Sequence, residues 1–234
     1  MSIADNYIRV MENIASACME AGRRTEDVKL IAVTKYVDTE RIAEAVAAGA
    51  RSVGENRVQE YRDKQEFFKA NGLEVHLIGQ LQTNKVKYVV GNGVLIQSLD
   101  RIELAKEISR VASNKGVIQD TLVEVNIGGE AQKGGIAVDG LVPFLELVSA
   151  LPNIRVKGLM CVPPAVGQDG ARAYFAAMRR LYEDIRGMNM PNVDMLELSM
   201  GMSGDYKAAV LEGATMVRVG TGIFGARPAA GAGA

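Results

Sequence analysis

Short apolar segments and amphipathic segments alternate along almost the whole chain, and this alternation limits the possible folds more than any other feature. Most of the apolar segments have the length and composition of strands covered on both faces, and a helical pattern follows nearly every one. The eight predicted strands are 30–34, 52–54, 75–78, 94–97, 122–126, 156–160, 195–198 and 216–219. We therefore predict an α/β fold, a single (β/α)₈ TIM barrel, with a doubly wound open sheet as the alternative. No G-x-G-x-x-G follows the first strand, which argues against a dinucleotide-binding sheet.

The chain also carries a helical pattern before the first strand and a tail of small residues at its end. Ile3, Tyr7, Val10, Ile14 and Cys18 recur at helical spacing, which predicts an extra N-terminal helix within the first 24 residues. The later helices are predicted at 39–48, 57–70, 84–90, 101–115, 139–150, 170–186 and 205–212. Because no linker or change of composition divides the chain, we expect one barrel domain over 1–227 and a disordered tail over 228–234.

The composition argues against several kinds of partner and site. Of the 234 residues, 24% are charged and the net charge is −1, so neither nucleic acid nor an anionic membrane is expected as a partner. No apolar stretch approaches the length of a membrane span, and the first residues lack the pattern of a signal peptide, so we expect a cytoplasmic protein. Cys18 and Cys161 are expected to be reduced core residues. With His76 as the only histidine, no histidine-based metal site or catalytic triad is expected.

Lys35 follows directly after the first predicted strand, where a charge is costly to desolvate. Burial favours the neutral amine of a lysine, which is a nucleophile for carbonyl groups. The alternative is a lysine whose aliphatic stem packs on the core while its ammonium reaches water. In a βα barrel the carboxyl-terminal ends of the strands form the active face, so Lys35 is expected to lie on that face.

Two glycine-containing loops follow the seventh and eighth predicted strands. The first contains Gly201, Ser203 and Gly204, and the second contains Gly220 and Thr221. Glycine lets backbone N–H groups approach an anion closely, and the loops at these two positions form the usual phosphate site of βα barrels. Turn formation alone would also explain the glycines. The two loops together, with their hydroxyl groups, predict a phosphate-binding site.

A strand-end lysine and a phosphate site on one barrel mouth suggest pyridoxal 5′-phosphate as the cofactor. The lysine would form an imine with the aldehyde, and the loops would hold the phosphate. A Schiff-base aldolase that acts on a sugar phosphate would need the same two elements. The two hypotheses differ in colour, since only a pyridoxal phosphate protein would be yellow and would bleach on borohydride reduction.

Six segments of the chain resemble the pyridoxal phosphate homeostasis protein family, known as YggS in bacteria and as the proline-synthase co-transcribed homologue (PROSC) in animals. They follow one another in the family's order and span nearly the whole chain. The segments are AVTK at 32–35, GENRVQE at 54–60, HLIGQLQTNK at 76–85, GLM at 158–160, LSMGMS at 198–203 and VRVGTGIFG at 217–225. The combination is specific, although no single segment would suffice.

The resemblance implies a fold like the N-terminal barrel of bacterial alanine racemase, with pyridoxal phosphate bound at its mouth. It implies Lys35 as the imine-forming lysine. Ser203, Gly220 and Thr221 would bind the phosphate, and Arg218 would face the pyridine nitrogen. The full set of cofactor-binding residues implied in this chain is Lys35, Asn56, Met202, Ser203, Arg218, Gly220 and Thr221.

Arg218 would have a chemical consequence in that position. A carboxylate opposite the pyridine nitrogen keeps it protonated and makes the ring a strong electron sink, whereas arginine is a donor only. Arg218 would leave the nitrogen unprotonated and weaken the stabilisation of a carbanion. The alternative is a core arginine paired with a carboxylate, such as Glu197 on the neighbouring strand.

The expected function is that of a carrier rather than an enzyme. Racemases of this barrel, as the resemblance implies, add a β-rich domain whose tyrosine is the second acid/base, and we expect this chain to lack it. Racemisation needs proton transfer on both faces of the substrate carbon. Tyr36 and His76 are the candidates here, and we expect Tyr36 to pack at a helix start and His76 to lie in the barrel interior. We therefore expect a monomer that holds the cofactor as a Schiff base on Lys35, buffers it and delivers it to pyridoxal-phosphate-dependent apo-enzymes. A weak amino-acid racemase is the alternative.

Overall fold

Parallel strands close into a barrel in this computed structural model, which describes residues 1–130 and 132–226, without the side chains of 168 and 169. The strands are β1 (Lys29–Val33), β2 (Ser52–Glu55), β3 (Glu74–Leu77), β4 (Val94–Leu99), β5 (Gln119–Asn126), β6 (Ile136–Ala137), β7 (Ile154–Cys161), β8 (Val193–Ser199) and β9 (Met216–Val219). Eight of these described strands follow one another around the barrel in the order β4-β3-β2-β1-β9-β8-β7-β5, and the pairing of β4 with β5 closes it. The remaining strand, β6, adds two residues to the end of β5.

Helices cover the outside of the barrel. They are α1 (Ile3–Glu20), α2 (Thr39–Ala47), α3 (Val58–Ala70), α4 (Ile102–Lys115), α5 (Leu141–Ser149), α6 (Gly167–Gly187), α7 (Tyr206–Leu211) and α8 (Thr221–Phe224). Three short 3₁₀ segments are described, at Thr25–Asp27, Thr83–Tyr88 and Val138–Gly140. None of the helices in the described chain is both long enough and apolar enough to cross a membrane.

The N-terminal helix α1 supports the two helices that follow the last strands. A capping box of Ser2 and Asp5 starts it, and its apolar face is buried. The side-chain amide of Asn6 donates to the carbonyl of Ile223 in α8 at 3.0 Å, and that of Asn13 donates to the Tyr206 hydroxyl of α7 at 3.0 Å. Helix α1 therefore fixes the segments that carry the predicted phosphate loops.

The hydrophobic core has one part between the sheet and the helices and a second part inside the barrel. The inner part contains Ile31, Leu122, Met160 and Met216. Gly54 leaves room for it, because a Cβ at this position would stand 2.9 Å from the Cγ2 atom of Ile31. The interior of the barrel is thus filled by side chains, as expected for a barrel of eight strands.

Gly158 allows β7 to lie unusually close to β8. Its φ is +150°, and a Cβ would stand 1.8 Å from the carbonyl oxygen of Glu197. The register between the two strands shifts at this point. A side chain here would push the strands apart, which explains a glycine inside an otherwise apolar strand.

The predicted barrel and its N-terminal helix are confirmed, with differences at individual elements. All eight predicted strands are present, although β5 begins three residues before the predicted start at 122. The segment predicted as a helix at 84–90 is a 3₁₀ segment instead, and β6 has no counterpart among the predictions, because two residues carry no readable periodicity. The predicted tail at 228–234 lies outside the described residues, and the domain boundary at 227 stays a prediction.

Candidate functional site at the barrel mouth

A cavity of about 280 Å³ opens at the carboxyl-terminal end of the barrel, beside the exits of β1, β8 and β9. Six of the seven predicted site residues line it, namely Lys35, Met202, Ser203, Arg218, Gly220 and Thr221. Asn56 follows β2 at the same end of the barrel, half-buried, but is not among the described residues that line the cavity. The structure therefore brings residues from three separate segments together, and the role of Asn56 stays a prediction.

Lys35 lies just beyond β1, half-buried at the cavity wall. The strand pairing continues up to it, since the Thr34 N–H donates to the carbonyl of Gly54 at 3.0 Å. The ammonium of Lys64 donates to the Thr34 carbonyl at 2.8 Å. Lys35 thus projects from a backbone that is held on its amino-terminal side by two hydrogen bonds.

A buried carboxylate completes this support behind Lys35. Glu55 is fully buried, and its Oε1 atom accepts hydrogen bonds from the Thr34 hydroxyl at 2.7 Å and from the Lys64 ammonium at 2.9 Å. Burial raises the pKa of Glu55, while the charge of Lys64 and the hydrogen bonds oppose that shift. Lys64 therefore offsets much of the cost of burying this carboxyl group.

Tyr36 does not pack at the start of a helix, and this prediction was wrong. Its φ is +62°, and 55% of its surface is exposed. Its N–H donates to Glu60 Oε2 at 2.7 Å, and the guanidinium of Arg57 lies 5.7 Å from its ring centre. The helix α2 instead begins after Asp38, which caps it. Tyr36 is turned outward at a left-handed backbone position, and the residue lines the cavity beside Lys35.

The two predicted phosphate loops meet at Ser203. Its hydroxyl oxygen accepts hydrogen bonds from the N–H groups of Gly220 at 3.2 Å and of Gly222 at 3.3 Å. A Cβ at Gly201 would stand 2.5 Å from the Cβ of Ala209, so this turn requires a glycine. The loops after β8 and β9 thus form one small unit at the cavity, and the hydroxyl groups of Ser203 and Thr221 in its lining are donors that fit a phosphate.

Arg218 lies at the floor of the cavity with only 4% of its surface exposed. Its Nη1 donates to the Ser199 hydroxyl at 2.7 Å, and its Nη2 donates to the Cys161 carbonyl at 2.8 Å. No carboxylate of the described residues lies within 4.0 Å of its guanidinium. Burial lowers the pKa of Arg218, and nearby Cys161, Glu124 and Asp205 oppose that shift.

Glu197, the alternative partner proposed for Arg218, is engaged elsewhere. Its Oε2 atom accepts a hydrogen bond from the Thr215 hydroxyl at 2.6 Å. Arg218 is therefore held by neutral acceptors, and its positive charge remains available to an electron-rich group in the cavity.

A chain of hydrogen bonds continues from Arg218 into the barrel. The Ser199 hydroxyl lies 2.7 Å from Gln97 Oε1, and Gln97 Nε2 lies 3.0 Å from Nδ1 of His76. All four side chains are buried. His76 therefore lies in the barrel interior, as predicted, and reaches the cavity only through Gln97, Ser199 and Arg218.

Two further residues at or near the mouth were not predicted from the sequence. Arg41 of α2 lines the cavity and donates a short hydrogen bond to the carbonyl of Phe224 in α8. Glu124 of β5 is largely buried, and burial together with the charge of Asp100 raises its pKa to about 7, while Arg218 acts in the opposite direction. A carboxylate inside an apolar strand was the signal that could have identified Glu124.

The arrangement can bind a ligand that carries both a carbonyl group and an anionic group. Lys35 supplies an amine at one wall, and the loops after β8 and β9 supply the hydroxyl groups of Ser203 and Thr221 at another. The thiol of Cys161 takes no part, because burial raises its pKa to about 12.

Comparisons with known proteins agree with this geometry. Residues 9–228 match the family "Alanine racemase, N-terminal domain". The chain is 45% identical over 228 residues to the pyridoxal phosphate homeostasis protein of Aquifex aeolicus, covering 97% of this chain and 99% of the relative. The resemblance drawn from the sequence motifs is therefore confirmed.

Solved structures show the same fold. The structure of PipY from Synechococcus elongatus with pyridoxal phosphate bound is 34% identical, with a TM-score of 0.78, and covers 92% of this chain and 100% of that one. An alanine racemase from Clostridium difficile is 17% identical and has a TM-score of 0.66. The match covers 97% of this chain and 61% of the racemase chain, and at this identity it supports the fold alone. The chain belongs to the pyridoxal phosphate homeostasis protein family, whose barrel is that of the alanine racemase N-terminal domain.

Proposed function

We propose that the protein binds pyridoxal 5′-phosphate at the barrel mouth, carries it as a Schiff base on Lys35, and acts in pyridoxal phosphate homeostasis by buffering and delivering it. The observation that carries this proposal is the convergence of Lys35, Arg218 and the Ser203–Gly220 unit on one cavity. The relatives that carry the homeostasis name, and the PipY structure with bound pyridoxal phosphate, support it.

Each residue has a distinct role in this proposal. Lys35 provides the amine that holds the aldehyde carbon, and Ser203, Gly220 and Thr221 hold the phosphate. Arg218 donates toward the pyridine nitrogen. Met202 contributes to the cavity wall, and Asn56 completes the predicted set from the exit of β2. When bound, the cofactor supplies an aldehyde and an electron-withdrawing ring.

Arg218 favours a carrier over an enzyme. A guanidinium does not transfer a proton to a ring nitrogen, because it remains a cation. No carboxylate of the described chain lies within 4.0 Å of the Arg218 guanidinium, so none is placed beside it to protonate the ring nitrogen instead. Arg218 would therefore leave a bound ring a weak electron acceptor, and the protein would hold the cofactor without strongly activating it.

Absorption spectroscopy tests binding and attachment together. Titration of the apo-protein with pyridoxal phosphate is expected to give the yellow band of a lysine imine, which sodium borohydride bleaches. Lys35→Ala is expected to lose the band, whereas Lys207→Ala, on the outer helix α7, is expected to keep it. A band of unchanged strength in Lys35→Ala would contradict the attachment. A protein that never becomes coloured would contradict the function.

A weak racemase is the second candidate, favoured by one observation. Tyr36 lines the same cavity as Lys35, so a residue whose side chain can transfer a proton is present at the mouth. The loaded protein is expected to convert no L-alanine to D-alanine over many equivalents, as measured by chiral chromatography. Multiple turnovers that both Lys35→Ala and Tyr36→Phe abolish would establish the racemase instead.

We also propose that the protein acts as a monomer in the cytoplasm and that its recipients are pyridoxal-phosphate-dependent apo-enzymes. Loaded protein mixed with such an apo-enzyme, in the presence of a scavenger that removes free cofactor, is expected to restore the enzyme's activity. Restoration that the scavenger abolishes would show release into solution rather than delivery. Light scattering during gel filtration measures the oligomeric state.

A further inference from the structure

A second cavity, of about 480 Å³, opens at the opposite end of the barrel, near the amino-terminal ends of β3, β4, β5 and β9. Its wall contains His76 and five charged side chains, Lys29, Glu74, Asp120, Lys157 and Glu197. None of the residues named in the proposed function lines this cavity. It is therefore a separate feature of the molecule.

His76 lines this cavity, and its hydrogen bonds determine which ring nitrogen carries the proton. Arginine can only donate, so the bond from Arg218 to Ser199 directs the serine proton to Gln97 Oε1. The amide nitrogen of Gln97 then donates to Nδ1 of His76 at 3.0 Å, and the same nitrogen lies 3.6 Å from the sulfur of Met216. With Nδ1 as an acceptor, the neutral ring carries its proton on Nε2.

The Nε2 donor of His76 has no acceptor among the described residues. Only 2% of His76 is exposed, and the nearest carboxylate oxygen, Oε2 of Glu74, lies 4.0 Å from Nε2. That oxygen already accepts hydrogen bonds from Lys29 at 2.6 Å and from Ser52 at 3.1 Å. A buried donor left without an acceptor is unfavourable, so this position favours a ligand that supplies an oxygen.

The charges around the cavity select the kind of ligand. Its wall carries three carboxylates and two ammonium groups, so a purely anionic ligand would meet a net negative surface. Lys157 lies 3.5 Å from Asp194 and keeps 19% of its side chain exposed. Asp120 is paired with Arg155, and Glu197 is hydrogen-bonded to the Thr215 hydroxyl. A small molecule with one negative and one positive group therefore complements this wall better than a ligand that carries only one kind of charge.

We propose that this cavity is a second binding site for a small zwitterion, with the chemistry of a free α-amino acid. The ligand's carboxylate accepts from His76 Nε2–H and lies toward Lys157, and its ammonium lies toward Glu197. The proposal goes beyond the proposed function, because it needs neither the cofactor nor Lys35.

The single histidine of the chain provides a local reporter for this site. Ring ¹⁵N NMR of the apo-protein is expected to show the Nε2–H tautomer, and titration with L-alanine is expected to shift the Nε2 and Hε2 signals saturably. Acetate and methylammonium, at the same concentrations, are expected to shift them far less. No shift with any of the three probes would overturn the proposal. Equal shifts with acetate and L-alanine would overturn its zwitterion part.

Substitutions in the cavity wall test whether the ligand binds there. Lys157→Met and Glu197→Gln are each expected to weaken the L-alanine titration about tenfold, the effect of losing one charged partner. The exposed Lys106 of α4 gives the matched control, and Lys106→Met is expected to change nothing. Lys35→Ala is expected to leave the titration intact, which separates this site from the cofactor mouth. Unaltered titrations in both cavity variants would contradict the assignment.

Discussion

Arg218 donates a hydrogen bond of 2.7 Å to the hydroxyl of Ser199, so a neutral group holds the buried cation at the floor of the barrel mouth. The same hydroxyl donates to Gln97 Oε1 at 2.7 Å. Ser199 thus links Arg218, which we propose faces the pyridine ring, with the buried polar side chain of Gln97 inside the barrel. This contact and the hydrogen bond from Arg218 to the Cys161 carbonyl together hold the guanidinium in place.

Ser199→Ala is expected to destabilise the protein, because it leaves a guanidinium N–H and an amide oxygen buried without partners. The expected loss is about 1–3 kcal/mol of unfolding free energy, measured by urea denaturation. Ser113→Ala removes an exposed serine that bonds Asn153 Oδ1, and serves as the matched control with an expected change below about 0.5 kcal/mol. Equal unfolding free energies of the two variants would show that the hydrogen bonds of Ser199 with Arg218 and Gln97 do not contribute to stability.

Lys64→Met is expected to have a larger effect, because it strands the fully buried carboxylate of Glu55. Removing one partner of a buried ion pair costs about 3–5 kcal/mol. The same substitution at Lys69, on the same helix but paired with Glu66 at the surface, is expected to cost about 0–1 kcal/mol. Chemical denaturation of both variants checks this. A loss at Lys64 no larger than that at Lys69 would contradict the supporting role described for the backbone around Lys35.

Glu124 predicts a pH dependence of known sign. Its pKa is raised from 4.5 to about 7 in the folded protein, so the folded state retains a proton that the unfolded state loses. Its contribution to stability is fully present below pH 4.5 and is lost as the pH rises to about 7, by about 3 kcal/mol for a shift of this size. The unfolding free energy of the wild type, relative to Glu124→Gln, should therefore fall across this interval.

The contribution of His76 to the unfolding free energy changes with pH in the opposite direction, but it cancels when wild type is compared with Glu124→Gln. Burial lowers its pKa to about 3, so its contribution is present above pH 6.5 and is lost as the pH falls toward 3. Both proteins in the Glu124 comparison keep His76. A difference between wild type and Glu124→Gln that stays constant from pH 4.5 to 7 would show that Glu124 titrates normally.

The sequence predicted the barrel well because its signal is local. A buried parallel strand is a short apolar run, and each run from β1 to β9, apart from the two-residue β6, could be recognised from neighbouring residues alone. The 3₁₀ segment Thr83–Tyr88 has the composition of a helix, and only its backbone hydrogen bonds distinguish it.

The candidate site was predictable in part. Lys35 and the glycine loops occupy strand exits, which a barrel brings together whatever their distance along the chain. The support of Lys35 by Lys64 depends on where α3 packs, and the outward turn of Tyr36 depends on a positive φ, neither of which a sequence pattern encodes. Glu197 and Ser199 share one face of β8, and the contact of Arg218 with Ser199 rather than Glu197 depends on how far along the barrel axis each residue lies.

The attachment of the cofactor to Lys35 is the central claim, and peptide mapping tests it most directly. Protein incubated with pyridoxal phosphate is reduced with borohydride, digested and analysed by mass spectrometry. The account predicts one dominant modified peptide, with the pyridoxyl group on Lys35, and its disappearance when Lys35 is replaced by alanine. Modification spread evenly over the surface lysines, with Lys35 unmodified, would contradict it.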